Sequence, residues 1–117
     1  MITVRIFKDS DGSVRGFRAS GHAGLAQSGR DVVCAAVSVL LQNTVNSIEA
    51  FTQDEISYSA DEGFLEFLIS GKVSDESSLL LNSMVLGLES IEESAVSSTG
   101  TKNNKGRRYL QILTEEV

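Results

Sequence analysis

The feature that most constrains this chain is an abrupt change in residue type after Arg30. Residues 20–30 form a polar stretch that contains three glycines, whereas residues 32–41 are apolar at every position except Ser38. Apolar residues then recur at helical spacing as far as Phe51, which predicts a loop followed by a long helix. Because the first half of this helix is apolar on nearly all sides, we expect it to be central in the fold.

The only histidine of the chain, His22, and its only cysteine, Cys34, stand on either side of this change. Ser28 and Asp31 have the spacing of an approximate capping box, but we prefer Asp31 itself as the N-cap of the helix, which puts Cys34 at its third position. The N–H groups of a first helical turn lack intrahelical acceptors, and the helix dipole is positive there, so both favour a thiolate. An imidazole brought to that thiolate completes a nucleophile and base pair, and the free N–H groups can hold an oxyanion. A lone cysteine in an apolar helix is, however, more often a small buried side chain.

Two motifs carry a resemblance to a known family. They are Gly21-His22-Ala23-Gly24 and Gly29-Arg30-Asp31-Val32-Val33-Cys34-Ala35-Ala36-Val37-Ser38. Together they resemble the signature of the ribosomal-processing cysteine proteases, the Prp family, and the similarity extends over nearly all 117 residues. The resemblance implies a catalytic dyad of His22 and Cys34. It also implies a homodimer whose activity is to remove the N-terminal extension of a large-subunit ribosomal protein, the one numbered twenty-seven.

Five further positions of these motifs are candidates for supporting or substrate-binding roles, namely Gly21, Gly24, Gly29, Asp31 and Ser38. Ser38 lies one helical turn after Cys34, so its hydroxyl can donate to the thiolate, line the substrate cleft or bond back to the Cys34 carbonyl. Asp31 is first a helix cap; it can also orient His22, but a carboxylate close to the thiol would oppose its ionisation. We expect the glycine loop over residues 21–30 to gate the site.

The rest of the chain predicts strands, a second helix and a mobile basic loop. Alternation and turn residues predict two hairpins and a closing strand, over residues 1–8 with 14–20, 54–60 with 64–71, and 109–113, with a further short strand at 95–98. Gly16, inside the second strand, marks a bulge or a close approach of backbone.

The second helix begins at a cap formed by Ser74 or Asp75. Its apolar residues at helical spacing predict a buried stripe or a dimer seam: Leu79, Leu80, Met84, Val85, Leu88 and Ile91. The resulting order is ββαββαβ. We therefore expect a single α+β domain over residues 1–117, with two helices packed on an antiparallel or mixed sheet.

The net charge of −6 argues against a general nucleic-acid binder, and we expect no direct nucleic-acid contact. The acidity suits a basic protein tail as partner, although solubility alone also explains it. The basic residues between 99 and 108 are typical of a solvated loop. The longest apolar run is far short of the roughly 18 residues that span a bilayer, so we expect a cytoplasmic protein without a membrane segment.

The sequence therefore leaves two classes of function. The first is a cysteine endopeptidase that needs no cofactor. The second is a non-catalytic ribosome-associated binding module, which would use hairpin edges and the basic loop and in which Cys34 is buried and inert. A structural zinc site is a poor third, because one histidine and one cysteine cannot fill a shell of four ligands.

Overall fold

The computed structural model describes residues 2–21, 28–61, 63–98 and 109–117, and of residues 28–31 and 95–98 it describes the backbone only. The elements in chain order are β1 (Ile2–Lys8), β2 (Val14–Ser20), α1 (Ser28–Phe51), β3 (Ile56–Asp61), β4 (Phe64–Ile69), α2 (Asp75–Ser98) and β5 (Leu110–Glu116). The predicted ββαββαβ order is confirmed, and with it the α+β class.

The five strands form one mixed sheet in the order β3-β4-β2-β1-β5. Both predicted hairpins are present as antiparallel pairs, and they join through an antiparallel pairing of β2 with β4. The last strand, β5, runs parallel to β1 and forms one edge of the sheet, while β3 forms the other. This arrangement places the end of β2 beside the start of β4.

One face of the sheet is apolar because side chains alternate along each strand. At its centre Phe17 pairs with Ile6 on one side and with Phe67 on the other, and the two phenylalanine rings stack with centroids 5.6 Å apart. This face and the inner sides of the two helices form a single buried cluster. Its members with no exposed surface are Ile2, Val4, Phe17, Ala19, Ile48, Phe67, Ile69, Leu81, Leu88 and Leu110.

The backbones of β2 and β4 approach each other closely at Gly16. A Cβ atom at this position would lie 2.2 Å from the carbonyl oxygen of Phe67 and 2.9 Å from the Cα of Leu68. Real Cβ atoms essentially never make contacts that short, so the pairing of the two strands requires glycine here. The close approach of backbone predicted from the sequence is confirmed.

Helix α1 differs from its prediction in two respects. It begins at Ser28, so Asp31 lies within its first turn and is not its N-cap. An acidic residue is as favourable in a first helical turn as at the N-cap, which is why the sequence did not fix the start. The helix is also not enclosed on all sides, because Val32 and Val39 are 70% and 69% exposed.

Helix α2 also differs in two respects. It continues to Ser98, so the strand predicted at residues 95–98 is wrong. After Gly87, the next glycine in the sequence is Gly100, beyond the end of the helix, so no glycine stops the helix before residue 95. Within the predicted stripe Leu79 is 70% exposed, and Leu81 is buried in its place. Because residues 79–81 are three consecutive leucines, the sequence allows more than one face of the helix to be buried. The face that is buried carries Ser77, Leu81, Met84 and Leu88.

The predicted start of α2 is confirmed, with Ser74 as the N-cap. Its hydroxyl oxygen accepts the N–H of Ser77 at 3.1 Å. The carboxylate of Asp54 in turn accepts the Ser74 N–H at 3.0 Å and the Ser74 hydroxyl at 2.8 Å. Asp54 therefore ties the segment after α1 to the start of α2, and β3 begins two residues later, at Ile56.

We expect Asp54→Ala to destabilise the fold at neutral pH by about 1 kcal/mol, the usual cost of losing a capping interaction. Hydrogen bonds from the hydroxyl of Ser77 and from Ser74 lower the pKa of Asp54 below its usual 3.8. A lowered pKa means that the ionised carboxylate stabilises the fold above pH 3.8 and that this contribution is lost as the pH falls further. Urea unfolding of both proteins from pH 7 to pH 2.5 measures the difference.

The matched control is Glu55→Ala, which removes the neighbouring exposed carboxylate and should change stability by less than about 0.5 kcal/mol. A destabilisation by Asp54→Ala that stays constant down to the lowest pH would contradict the assigned role of its carboxylate.

The segment Val32–Phe51 has a length of 20 residues and a mean hydropathy of 1.3, which by themselves would allow it to cross a membrane. Helices from the cores of soluble proteins pass the same test. Here Val37, Leu41 and Ile48 are at most 1% exposed and belong to the cluster that covers the sheet. We therefore interpret this segment as a core helix.

Candidate active site

Cys34 is a free thiol, 8% exposed, in the second turn of α1. It is the seventh residue of the helix, so its predicted place at the third position is wrong. The N–H groups that lack an intrahelical acceptor belong to residues 28–31, about one turn nearer the N-terminus. Because Cβ atoms in a helix tilt toward its N-terminus, the cysteine side chain leans back over that first turn.

Ser38 and Cys34 lie in different surroundings although they are one turn apart. Ser38 is exposed, whereas Cys34 belongs to the buried cluster together with Val33 and Val37. Among the described residues Ser38 has no hydrogen-bond partner, so its hydroxyl does not bond back to the Cys34 carbonyl. Of the three alternatives for Ser38, donation to the thiolate and contact with a substrate remain.

The chain leaves the sheet at Gly21, directly before His22. Gly21 has a φ of 82° and Gly63, in the turn between β3 and β4, has a φ of 74°. The N–H of Gly21 donates to the carbonyl oxygen of Gly63 at 3.1 Å. The segment that carries the candidate histidine therefore starts from a point fixed by a backbone hydrogen bond.

The other predicted site residues fall in different parts of this region. His22 and Gly24 lie outside the described residues, so their proximity to Cys34 stays a prediction. Gly29 and Asp31 are helical, in the first turn of α1. The predicted loop over residues 21–30 is therefore wrong for residues 28–30, whereas the gating role of the preceding residues and the supporting role of Asp31 stay predictions. In the described part of the chain, no three His, Cys, Asp or Glu residues are grouped as metal ligands would be.

Sequence reasoning missed an apolar groove on the outer side of the helices, which begins one residue after Cys34. Its lining residues are Ala35, Ala36, Val39, Leu40, Asn43, Gly87 and Ile91. Leu40 of α1 packs closely against Gly87 of α2, where a Cβ atom would lie 2.8 Å from Cδ2 of Leu40. Gly87, an isolated glycine inside the predicted second helix, was the signal in the sequence.

Comparisons with known proteins agree on one family. A family model described as "Cysteine protease Prp" matches residues 1–98. The ribosomal processing cysteine protease Prp of Staphylococcus aureus is 35% identical over 95 residues, which cover 80% of this chain and 90% of that protein.

Two crystal structures of the S. aureus ribosomal processing protease Prp resemble this fold. One is a complex with a substrate peptide; it has a TM-score of 0.82 and 26% identity and covers 98% of this chain and 100% of that chain. The other holds a covalently linked product peptide; it has a TM-score of 0.79, 27% identity and the same coverage.

Proposed function

This chain belongs to the Prp family of ribosomal-processing cysteine proteases and is itself a cysteine protease; from that premise we propose that Cys34 is its nucleophile and His22 its general base. The observation that carries the proposal is that Cys34 is the only cysteine in 117 residues. A cysteine protease needs a thiolate, and this chain offers one thiol. His22 is likewise the only imidazole.

The proposed reaction proceeds through a covalent thioester. His22 takes the proton of the Cys34 thiol, and Sγ attacks the scissile carbonyl carbon. The S–C bond forms, the C–N bond then breaks, and the imidazolium returns its proton to the leaving amine. Water, deprotonated by His22, hydrolyses the thioester and frees the thiol. The covalently linked product peptide in the S. aureus relative supports a covalent intermediate for the present chain.

We propose as substrate the N-terminal extension of the large-subunit ribosomal protein numbered twenty-seven. The support is the family, whose S. aureus member is a ribosomal processing protease crystallised with a substrate peptide. The net charge of −6 also suits a basic ribosomal protein. Maturation of a ribosomal protein further leads us to propose a cytoplasmic location.

Intact-mass spectrometry of the extended ribosomal protein after incubation with this enzyme tests the substrate. One defined N-terminal cut is the expected result. An intact substrate in the presence of folded enzyme whose thiol reacts with iodoacetamide at neutral pH would show that the substrate is a different protein.

The alternative left open by the sequence, a non-catalytic ribosome-associated module, would also bury Cys34, so the burial of this thiol does not by itself decide against it. Membership of a cysteine protease family weighs against it. Alkylation of the single thiol across pH separates the two: an activated thiol already reacts well at neutral pH, and an inert one follows an ordinary thiol titration.

The homodimer is a further part of the proposal. Its support is a set of large apolar side chains on the outer sides of the helices that are 65–70% exposed: Val32, Val39, Leu79 and Leu86. Burying them against a second copy removes apolar area from water on both subunits. The groove beside Val39 belongs to the same surface.

We expect Val39→Glu to shift the protein from dimer to monomer at micromolar concentration, because a charge would be desolvated in the interface. Size-exclusion chromatography with light scattering measures the mass. Val117→Glu, at an equally apolar residue that is 59% exposed at the end of the chain, is the control and should remain dimeric. A monomeric wild type, or a dimeric Val39→Glu variant, would remove this surface from the interface.

A further inference from the structure

We propose that the turn between β3 and β4 positions the catalytic histidine, through the hydrogen bond from the Gly21 N–H to the Gly63 carbonyl oxygen. This inference rests on the proposed function, since it presupposes that His22 acts on Cys34. Gly63 is a positioning residue in this view, because it acts through Gly21 and takes no part in the chemistry itself.

The first support is the register of the sheet. β2 and β4 pair antiparallel from Gly16 opposite Leu68 to Ser20 opposite Phe64. The bond from Gly21 to Gly63, 3.1 Å long, extends this ladder by one residue beyond the end of both strands. It holds the residue directly before His22, whose Cα follows that of Gly21 by about 3.8 Å. The position of Gly63 therefore sets where the histidine backbone begins.

The second support is the backbone conformation at both ends of this bond. Gly21 and Gly63 have φ values of 82° and 74°, in the left-handed region that favours glycine. A Cβ at Gly63 would push its backbone toward other φ values and so move or rotate the carbonyl that holds Gly21. The direction in which the chain enters residue 22 would change with it.

The chain offers a matched control at the other end of β2. Gly12, in the turn between β1 and β2, also has a positive φ, 88°, and its N–H bonds to the carbonyl oxygen of Asp9 at 2.9 Å. A Cβ there would meet nothing within 4 Å. β2 has seven residues, so this turn lies about 20 Å from Gly21. The same substitution in both turns therefore imposes the same kind of strain, near the histidine in one case and far from it in the other.

The experiment compares Gly63→Ala, Gly12→Ala and His22→Ala with the wild type. Four quantities are measured: Tm, kcat and KM for cleavage of the substrate peptide, and the rate of Cys34 alkylation by iodoacetamide at pH 7. We expect both glycine variants to lose a similar few degrees of Tm. Gly63→Ala should lower kcat at least about tenfold with little change in KM, because small misplacements of a catalytic group are costly. Its alkylation rate should fall toward that of His22→Ala, while Gly12→Ala keeps the wild-type values.

Gly63→Asn supplies the conservative variant, because asparagine tolerates the left-handed region better than alanine. It should recover at least half of the wild-type kcat and alkylation rate. If Gly63 served stability alone, restoring the left-handed backbone conformation with Gly63→Asn would not restore kcat and the alkylation rate.

The outcomes are distinguishable. If Gly63→Ala and Gly12→Ala have the same kcat and alkylation rate, the turn does not position His22 and the inference is wrong, while the dyad stands. If His22→Ala itself leaves cleavage and alkylation unchanged, the dyad fails and takes this inference with it. If Gly63→Ala does not fold, the inference is tested instead by hydrogen exchange of the Gly21 amide in the wild type. Protection comparable to that of β2 amides supports the inference, and exchange at the rate of an unprotected amide overturns it.

Discussion

Replacing Cys34 by alanine lowers kcat for peptide cleavage by about 10⁴-fold or more, the scale on which loss of a nucleophile acts in proteases of this mechanistic type. The physical reason is that the chain contains no second thiol to form the thioester. The side chain is also 8% exposed and lies in the core, so its truncation costs about 1 kcal/mol of stability. Such a loss leaves the protein folded, and the fall in rate is therefore chemical.

Val33→Ala is the matched control for this substitution. Val33 precedes the cysteine, is 6% exposed and belongs to the same cluster, so its truncation also opens a small cavity beside the site. We expect it to lose stability to at least the same degree while retaining most of the activity, because the thiol is unchanged. Thermal unfolding and intact-mass spectrometry of the substrate, done on the same preparations, separate the two effects. Cleavage at the same bond by Cys34→Ala would remove the cysteine from the mechanism.

His22→Ala completes the test of the dyad. General acid–base catalysis typically contributes 10²- to 10⁴-fold, so we expect a fall in kcat within about that range. The alkylation rate of Cys34 at neutral pH should fall as well, because no imidazole remains to take the thiol proton. A loss of cleavage without any change in alkylation would assign His22 to protonation of the leaving amine alone.

The strands of the two hairpins and their pairing within each hairpin were predictable because alternation and turn residues act locally. Ile2, Val4 and Ile6 all face the core as expected, and Gly16 permits the predicted close approach. The phase of α2 was not predictable, because Leu79 and Leu81 are equally apolar and only packing decides which one is buried. Local patterns fix the type of an element more firmly than its orientation.

The same division holds at the candidate site. The single cysteine, within a motif that resembles a known family, could be selected as the candidate nucleophile from the sequence. Its position along the helix could not, because that depended on whether residues 28–31 are helical. Ser38 is exposed and Cys34 is buried because of the orientation of α1 about its own axis, which packing decides. The bond between Gly21 and Gly63 needs the register of β2 against β4, which joins residues 42 positions apart. No local pattern in the sequence carries that information.

The same register makes Gly16→Ala the substitution with the largest expected effect on stability. The new Cβ would lie 2.2 Å from the Phe67 carbonyl oxygen, an atom of the neighbouring backbone that no rotamer change can move aside. β2 and β4 must separate or rotate, and the stacked rings of Phe17 and Phe67 move with them. We expect a loss of about 3 kcal/mol or more, at the upper end of overpacking effects and a large part of the stability of a small domain.

Urea unfolding of Gly16→Ala against Gly71→Ala measures this loss with the substitution held constant. A Cβ at Gly71 would meet nothing within 4 Å, and its φ lies outside the left-handed region, so its stability should stay within about 0.5 kcal/mol of the wild type. Equal midpoints for the two variants would mean that β2 and β4 can part without cost. Because the bond from Gly21 to Gly63 extends the pairing of these strands, Gly16→Ala should also lower cleavage in the fraction that remains folded. The pairing that holds the core together would then be the pairing that places the histidine.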